Sequence, residues 1–452
     1  MAGRRLIILG GGFGGLDVAR SIGRSKTARE YWDTTLVDKE NFFQFNPLLP
    51  AVAVGSVETR HIVYPLREMA KHRHIRFLKN KAISIDCARR TVLLHNDLTL
   101  SFEALVVAVG SVTAYYGVPG AAEYTLPFKT IVDAMTLRAR VVELFEMAEQ
   151  AESEAQRRRM LAFVVVGGGV TGVEVAVELI EMMRETLLPR YPNLNASHPS
   201  VTVLEGGDRL VQTARPEHSR YVQRYLERYG VAVRLDSRVS RVESKRLHLA
   251  SGETLDAFTT VWTAGVAPPA LVSDLPLRKT PDGRVVVDDY LRALTPEGKA
   301  LEDVYVIGDS AAYPIGEGEY APRLAQTGVT MGHHVGESLV RRAHDREQHK
   351  YRYENSGYII SLGQHSSVVE LFGIPFSGRL AWLFWAAVYL IKMVGFRKQI
   401  EVGIDHLTHL FFEHDTTQIL NRRHVLSDEE MNLTLSAPAE PARERETAGT
   451  PR

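Results

Sequence analysis

The chain has 452 residues, enough for two or three domains, each with its own core. Lys plus Arg balances Asp plus Glu, 54 against 54, so no global field points to nucleic acid or to an acidic partner. Cys87 is the single cysteine, which excludes an intramolecular disulfide, a redox dithiol and a multi-cysteine metal site, and argues against a secreted, disulfide-stapled protein.

Met-Ala-Gly-Arg-Arg leads directly into an apolar run too short and too glycine-broken for a signal peptide, so the body of the chain is expected in the cytoplasm. Residues 6–9 (LIIL) have the length and branching of a buried strand. They run into Gly10-x-Gly12-x-x-Gly15, with Phe13 and Gly14 inside the turn, and Leu16, Val18, Ala19 and Ile22 then recur at helical spacing. Strand, glycine turn and helix form the dinucleotide-binding fingerprint. The first glycine makes the turn, the second lets the backbone approach a pyrophosphate, and the third lets helix pack on strand. The phosphates would meet the free N–H groups at the helix N-terminus. The next apolar run, 34–37, ends in Asp38, at the spacing of a ribose-binding acid, with Lys39 after it. An ordinary strand-turn-helix unit without ligand is the plainer alternative.

Residues 41–50 (NFFQFNPLLP) form an aromatic loop punctuated by Pro47 and Pro50, either covering a core or walling a bound nucleotide. The pattern predicts a helix over 62–70, a strand over 76–78, and antiparallel strands at 82–85 and 91–94. Residues 105–110 (LVVAVG) read as a buried strand ending in Gly110, where the backbone can approach a ligand. A long polar helix is expected over 133–159, its three closing arginines forming a solvated end.

Then the opening pattern repeats. Residues 163–166 (FVVV) lead into Gly167-x-Gly169-x-x-Gly172, followed by Val173, Ala176, Val177 and Ile180 at helical spacing. The next strand, 201–204, ends in Glu205. Two complete fingerprints, 157 residues apart, imply two nucleotide modules, the architecture of a flavin enzyme fed by a nicotinamide. Glu205 can accept from both ribose hydroxyls, whereas a 2′-phosphate would want arginine, so NADH is expected over NADPH despite Arg209 nearby. Residues 260–268 finish the second module on a strand ending in Gly265. Residues 303–309 (DVYVIGD) close on Gly308-Asp309. Such an aspartate holds the ribityl chain in two-dinucleotide flavoproteins, or simply caps a turn.

These residues resemble the type II (non-proton-pumping) NADH:quinone oxidoreductases over roughly residues 4–420. The likeness rests on the first fingerprint, Phe45-x-Pro47-Leu48-Leu49, the block GGGVTGVEVAVEL from Gly167, Gly308-Asp309, and a C-terminal block from Ala381-Trp382-Leu383-x-Trp385 through Gly395-Phe396-Arg397. It implies an α/β fold with two Rossmann-type dinucleotide-binding domains, the first discontinuous, plus a C-terminal helical membrane-associating region. The FAD-binding domain would comprise 1–130 and 283–345, the NAD(H)-binding domain 131–282, the membrane region 346–426 and a tail 427–452. The resemblance also implies that Glu174 lies near the flavin ring and the nicotinamide. The residues alone offer a carboxylate one turn inside the helix, either catalytic or a helix-dipole partner. Glu178, one turn on, is read as structural. The family's quinone signature, Ala-Gln-x-Ala-x-Gln, is met by Ala325 and Gln326 but departs at Gly328 and Thr330. Thr330 still offers a hydrogen-bond donor, with shorter reach.

Residues 341–350 read as a charged, solvated surface helix, and the spacing of His333, His334, His344 and His349 fits no metal site. Residues 380–391 (LAWLFWAAVYLI) carry no charge, and the apolar run continues past Lys392 to Phe396. Its 17 residues reach about 26 Å, short of a hydrocarbon core of about 30 Å. Arg379, Lys392, Arg397 and Lys398 bracket it, and Trp382 and Trp385 are ring types that favour a membrane interface. With the amphipathic stretch 400–412, this predicts helices lying in the interface, the alternative being a core helix or a dimer contact. From Ser427 onward the composition predicts a disordered tail.

The expectation is a peripheral flavoenzyme on the cytoplasmic side of the plasma membrane, taking hydride from NADH and passing two electrons to a quinone without proton pumping. FAD would bind through Gly10, Gly12, Gly15, Asp38 and Asp309, and NADH through Gly167, Gly169, Gly172 and Glu205. Quinone would enter near Ala325 and Gln326, with Glu174 and Gln326 as the catalytic candidates. Its partners are a quinone and a membrane surface, with no nucleic acid and a homodimer left open. The alternative is a soluble reductase of a ferredoxin-like or other non-quinone acceptor.

Overall fold

Apolar, β-branched runs alternating with helices produce two parallel sheets. A computed structural model of the chain describes residues 3–393, 395–408 and 417, so the expected tail from Ser427 lies outside the described residues. In chain order the first unit contains β1 (Arg4–Leu9), α1 (Phe13–Arg24), β2 (Trp32–Asp38), β3 (Arg76–Lys79) and β4 (Ala104–Val107). The second contains α2 (Ile131–Glu149), β5 (Ala162–Val166), α3 (Val170–Glu181), β6 (Ser200–Leu204), α4 (Pro216–Arg228), β7 (Val231–Arg234) and β8 (Thr259–Trp262). The chain then re-enters the first sheet through β9 (Ala300–Val306) and continues into α5 (Ala325–Ala343).

The first sheet runs Arg292–Leu294, β9, β4, β1, β2, β3, parallel except at Arg292–Leu294. Leu6 to Leu9 are all buried, as two-faced coverage by helices requires. Val304 pairs with Leu105, which makes the first unit discontinuous. The second sheet runs Leu126–Pro127, β8, β5, β6, β7, all parallel. Helix α5 lies across α1 through small residues. A Cβ on Gly332 would collide with the Gly14 carbonyl oxygen, and one on Gly336 would lie 2.6 Å from the Ser21 Cβ.

The C-terminal part adds an antiparallel sheet of β10 (Gly357–Leu362), β11 (Ser366–Leu371) and β12 (Ile374–Gly378), followed by α6 (Arg379–Lys392) and α7 (Phe396–Thr408).

Several elements differ from expectation. The stretch 133–159 is two helices, because Ser153 and Gln156 form a capping box that starts Glu154–Met160 afresh. Nor is α2 polar in setting. Leu137, Val141, Leu144 and Phe145 are buried, and buried Arg140 donates to the Thr259 hydroxyl (2.9 Å) and the Phe258 carbonyl (3.0 Å). The predicted helix 62–70 begins only at Leu66, after Pro65, and Val63–Pro65 pairs with Phe42–Gln44 instead. The charged run 341–350 leaves the helix at Ala343. Rather than being solvated, Arg342 pairs with Asp303 and lies over the Trp32 ring at 5.5 Å. The apolar run 380–396 is split between α6 and α7.

Candidate active site

The two glycine loops are built to one plan. Gly10 and Gly167 adopt φ of +98° and +107°, and a Cβ there would lie 2.7 Å from the Ala108 carbonyl carbon or 2.6 Å from the Ala264 Cα. A Cβ on Gly15 would collide with the Gly10 carbonyl oxygen, and one on Gly172 with that of Gly167. At Gly12 and Gly169, by contrast, a Cβ would meet nothing within 4 Å. Both are N-caps without a side-chain cap, so the first N–H groups of α1 and α3 face open room. That room, beside the positive end of a helix dipole, fits a pyrophosphate.

Each loop is clamped by the acid at the end of the next strand. Asp38 accepts from the Gly11 N–H (2.5 Å) and the Glu40 N–H (2.8 Å). Glu205 accepts from the Gly168 N–H (2.7 Å) and the Gly207 N–H (2.8 Å). Burial pushes the Asp38 carboxyl up, and those two N–H groups oppose the shift. Lys39 is exposed beside it. The Arg209 guanidinium donates to the carbonyls of Gln212 (2.8 Å) and Ala214 (3.1 Å), within its own loop.

On the first module's side, Gly110 and Gly308 take φ of +66° and +68°. Asp309 accepts from the Ser111 hydroxyl, and Lys129 Nζ lies 3.6 Å from Asp309 and 2.8 Å from Ser111 Oγ. Ser111 and Lys129 carry no motif and are not singled out by the sequence. A Cβ on Gly265 would collide with the Tyr116 hydroxyl.

From the first loop an aromatic chain leads to the C-terminal helices. Phe13, the first residue of α1, packs edge-on against Phe43 (5.0 Å) and Phe45 (5.8 Å), the latter just before the Pro47 turn. Phe45 meets Tyr389 of α6 at 6.0 Å, and Tyr389 meets Trp385 at 5.2 Å. Trp385 is therefore a core residue, not an interfacial ring. Burial, and then the charge of Glu174, raise the Tyr389 phenol.

Glu174 is buried, accepts from the Ser361 N–H (3.0 Å), and is pushed up to about 8, chiefly by desolvation. Glu178 and Glu181 are buried on the same helix, and Glu181 accepts from the Gln364 N–H (3.2 Å). Glu181 and Tyr389 are missed by the motifs, although the spacing of 174, 178 and 181 already sets three acids on one helical face.

The signature residues sit at the start of α5: Ala325 exposed, Gln326 half-buried. A Cβ on Gly328 would lie 3.8 Å from the Phe13 Cβ and 3.9 Å from the Gly308 Cα, so this turn abuts the first glycine loop. The Thr330 hydroxyl is engaged with the Tyr351 hydroxyl at 2.9 Å.

A profile of the pyridine nucleotide-disulphide oxidoreductase family matches residues 4–332. The type II NADH:quinone oxidoreductase NdhA of Mycobacterium tuberculosis is 31% identical over 413 residues, covering 88% of this chain and 85% of its own length. Ndh of the same organism, also a type II NADH:quinone oxidoreductase, is 28% identical over 410 residues, with coverage of 88% and 86%. The structure of NDH2 from Plasmodium falciparum in complex with NADH matches with a TM-score of 0.84 over 92% of this chain and 99% of that one. At 19% identity this shows a shared fold. With both glycine modules, the returning strand and the C-terminal helices in place, the chain belongs to the type II NADH:quinone oxidoreductases of the pyridine nucleotide-disulphide oxidoreductase family.

Proposed function

We propose that the protein oxidises NADH through a bound FAD and delivers the two electrons to a quinone at a membrane surface, without carrying protons across it. The observation that carries this reading is the packing of Phe45, itself edge-on to Phe13 in the first module, against Tyr389 of α6, whose buried phenol feels the charge of Glu174 from the second. When bound, the flavin accepts hydride from NADH and gives up two electrons to the acceptor. The chain's own residues bind, align and exclude water.

The loop of Gly10, Gly12 and Gly15 would take the FAD pyrophosphate, Asp38 its ribose, and Asp309 the ribityl hydroxyls, with Ser111 and Lys129 fixing the Asp309 carboxylate. The loop of Gly167, Gly169 and Gly172 would take NADH, with Glu205 on the adenosine ribose. A 2′-phosphate would meet the Glu205 carboxylate, while Arg209 is held on loop carbonyls, which supports NADH over NADPH. Glu174 keeps its proton at neutral pH and can donate it beside the reacting atoms. Gln326, at the start of α5, would hydrogen-bond a quinone carbonyl.

Membrane contact is supported by an inverted helix. On α7, Glu401 and Asp405 turn inward, where Asp405 meets His61 Nδ1 at 2.5 Å and Glu401 lies 4.0 Å from His61 Nε2. Phe396, Ile400 and Ile404 face outward, as do Leu380, Leu383 and Ile391 on α6, with Leu380 78% exposed. Among the described residues no helix is long and apolar enough to cross a membrane. These helices would lie in the interface, on the cytoplasmic side of the plasma membrane that meets NADH. A soluble reductase would have no use for that face. The test is flotation with anionic vesicles alongside quinone-dependent NADH oxidation. The protein should float and turn over, and Ile391→Asp with Phe396→Asp should abolish flotation. Turnover on a soluble electron carrier without quinone turnover would contradict the reading.

A further inference from the structure

Reduction of a quinone to a quinol consumes two electrons and two protons. NADH supplies both electrons and one proton as hydride, so each turnover, NADH + H⁺ + Q → NAD⁺ + QH₂, must draw one proton from water. Glu174 is buried, so that proton needs a route.

Helix α3 carries acids at 174, 178 and 181, and the turn after it carries a fourth at 185. The first three are buried and Glu185 is exposed, so the row runs from the site to the surface. Consecutive members are about one turn apart, a rise of about 4.5–6 Å, which bridging waters can span. Just past Glu181 the helix widens into a π-turn over Met182–Leu187, a feature enriched at functional positions. The neighbours feel one another: the Glu178 charge acts on both Glu174 and Glu181, and the Glu185 charge acts on Glu181. One oxygen of Glu181, Oε1, is buried without a hydrogen-bond partner, which favours the protonated carboxyl there.

We propose that Glu178 and Glu181 are positioning residues of a proton path, Glu185–Glu181–Glu178–Glu174, that resupplies the Glu174 carboxyl from solvent during quinone reduction. The path rests on the quinone reading above. Burial raises all three inner carboxyls, so none is a fixed anion and each can hold and release a proton near neutral pH. The titratable groups around the row are Tyr389 on α6, Tyr225 on α4 stacked on Tyr229, and, at the outer end, Arg184 and the exposed His365 of the β10–β11 turn. Arg184 is held on the Tyr229 carbonyl at 2.6 Å. The hairpin itself presents the backbone N–H groups of Ser361 and Gln364.

A purely structural role would be to tie that hairpin to α3. Glutamine keeps the carbonyl that accepts those N–H bonds but cannot hand on a carboxyl proton, so it separates the two roles. In the flavin-loaded enzyme, rapid mixing follows flavin bleaching by NADH and then its recovery on adding a short-chain quinone. Glu178→Gln and Glu181→Gln should bleach at the wild-type rate but recover roughly tenfold or more slowly, with an enlarged solvent deuterium effect. Glu178→Asp should restore part of the rate. Infrared difference spectra between the oxidised and NADH-reduced forms should show a protonated-carboxyl band in the wild-type protein, and Glu178→Gln should alter that band without loss of flavin. Wild-type recovery in both glutamine variants, or equal slowing of bleaching and recovery together with flavin loss, would overturn the path alone. A wild-type enzyme that bleaches but never recovers with quinone would overturn the function and the path together.

Discussion

Helices α1 and α3 hold equivalent positions, each springing from a glycine loop, yet they spend their inner faces differently. Helix α1 buries Leu16, Val18, Ala19 and Ile22 and lets α5 approach through Gly14, while its half-buried charges, Asp17 and Arg20, pair at 3.8 Å. Helix α3 buries Glu174, Glu178 and Glu181 among Val173, Val175, Ala176 and Val177. Burying a carboxyl is costly unless it stays protonated or is well bonded. The first helix thus spends its inner face on packing, and the second gives up stability to bury three carboxyls.

The largest effects should come from breaking the loops separately. Gly15→Ala drives a methyl into the Gly10 carbonyl and should cost the protein its flavin, read from the visible absorbance after purification. Gly172→Ala makes the same collision in the second loop. It should retain flavin while kcat/KM for NADH falls about a hundredfold, equivalent to roughly 2.7 kcal/mol. Loss of flavin in both variants would mean the two loops do not serve separate ligands.

Next comes the contact that only α1 makes. Gly332→Ala collides with the Gly14 carbonyl oxygen and should lower stability by roughly 1–3 kcal/mol. Gly328→Ala meets no atom nearer than 3.8 Å and should be neutral, or stabilising by up to about 1 kcal/mol. Thermal melting of the two variants checks this pair, and activity with quinone should survive Gly328→Ala.

The three buried acids of α3 predict a larger pH signature than α1, whose one raised acid, Asp17, is opposed by Arg20. An acid whose folded-state pKa is raised keeps its proton in the fold where the unfolded chain has lost it. The stability contributed by Glu174 is therefore full below its unfolded value of about 4.5 and is lost as pH rises toward about 8. Melting temperature should fall across that window, and Glu174→Gln should flatten the fall. A melting profile equally steep in the variant would assign the dependence elsewhere. The smallest effect concerns nicotinamide choice. Glu205→Ala should raise the KM for NADH several-fold and narrow the preference over NADPH, as measured by paired steady-state assays.

The glycine loops, their acids and the buried strands were legible in the sequence because each is a local pattern of a few adjacent residues. What stayed hidden depends on partners far along the chain. Arg140 reads as polar surface until Thr259 and Phe258 accept from it. The stretch 400–412 reads as amphipathic, and nothing in it says which face meets the protein. The structure turns Glu401 and Asp405 inward toward His61, which leaves Phe396, Ile400 and Ile404 outward. Tyr389 looks like one more apolar residue of its run, and only the fold brings it to Phe45 and Glu174. Ser153 gives no periodic signal, yet its capping box divides the helix expected over 133–159.

The most direct test of the central claim is anaerobic rapid mixing of the flavin-loaded protein with NADH, followed by a short-chain quinone, with the flavin absorbance recorded throughout. Prompt bleaching and prompt quinone-dependent recovery are predicted. Bleaching without recovery, while a soluble acceptor restores the absorbance, would contradict it.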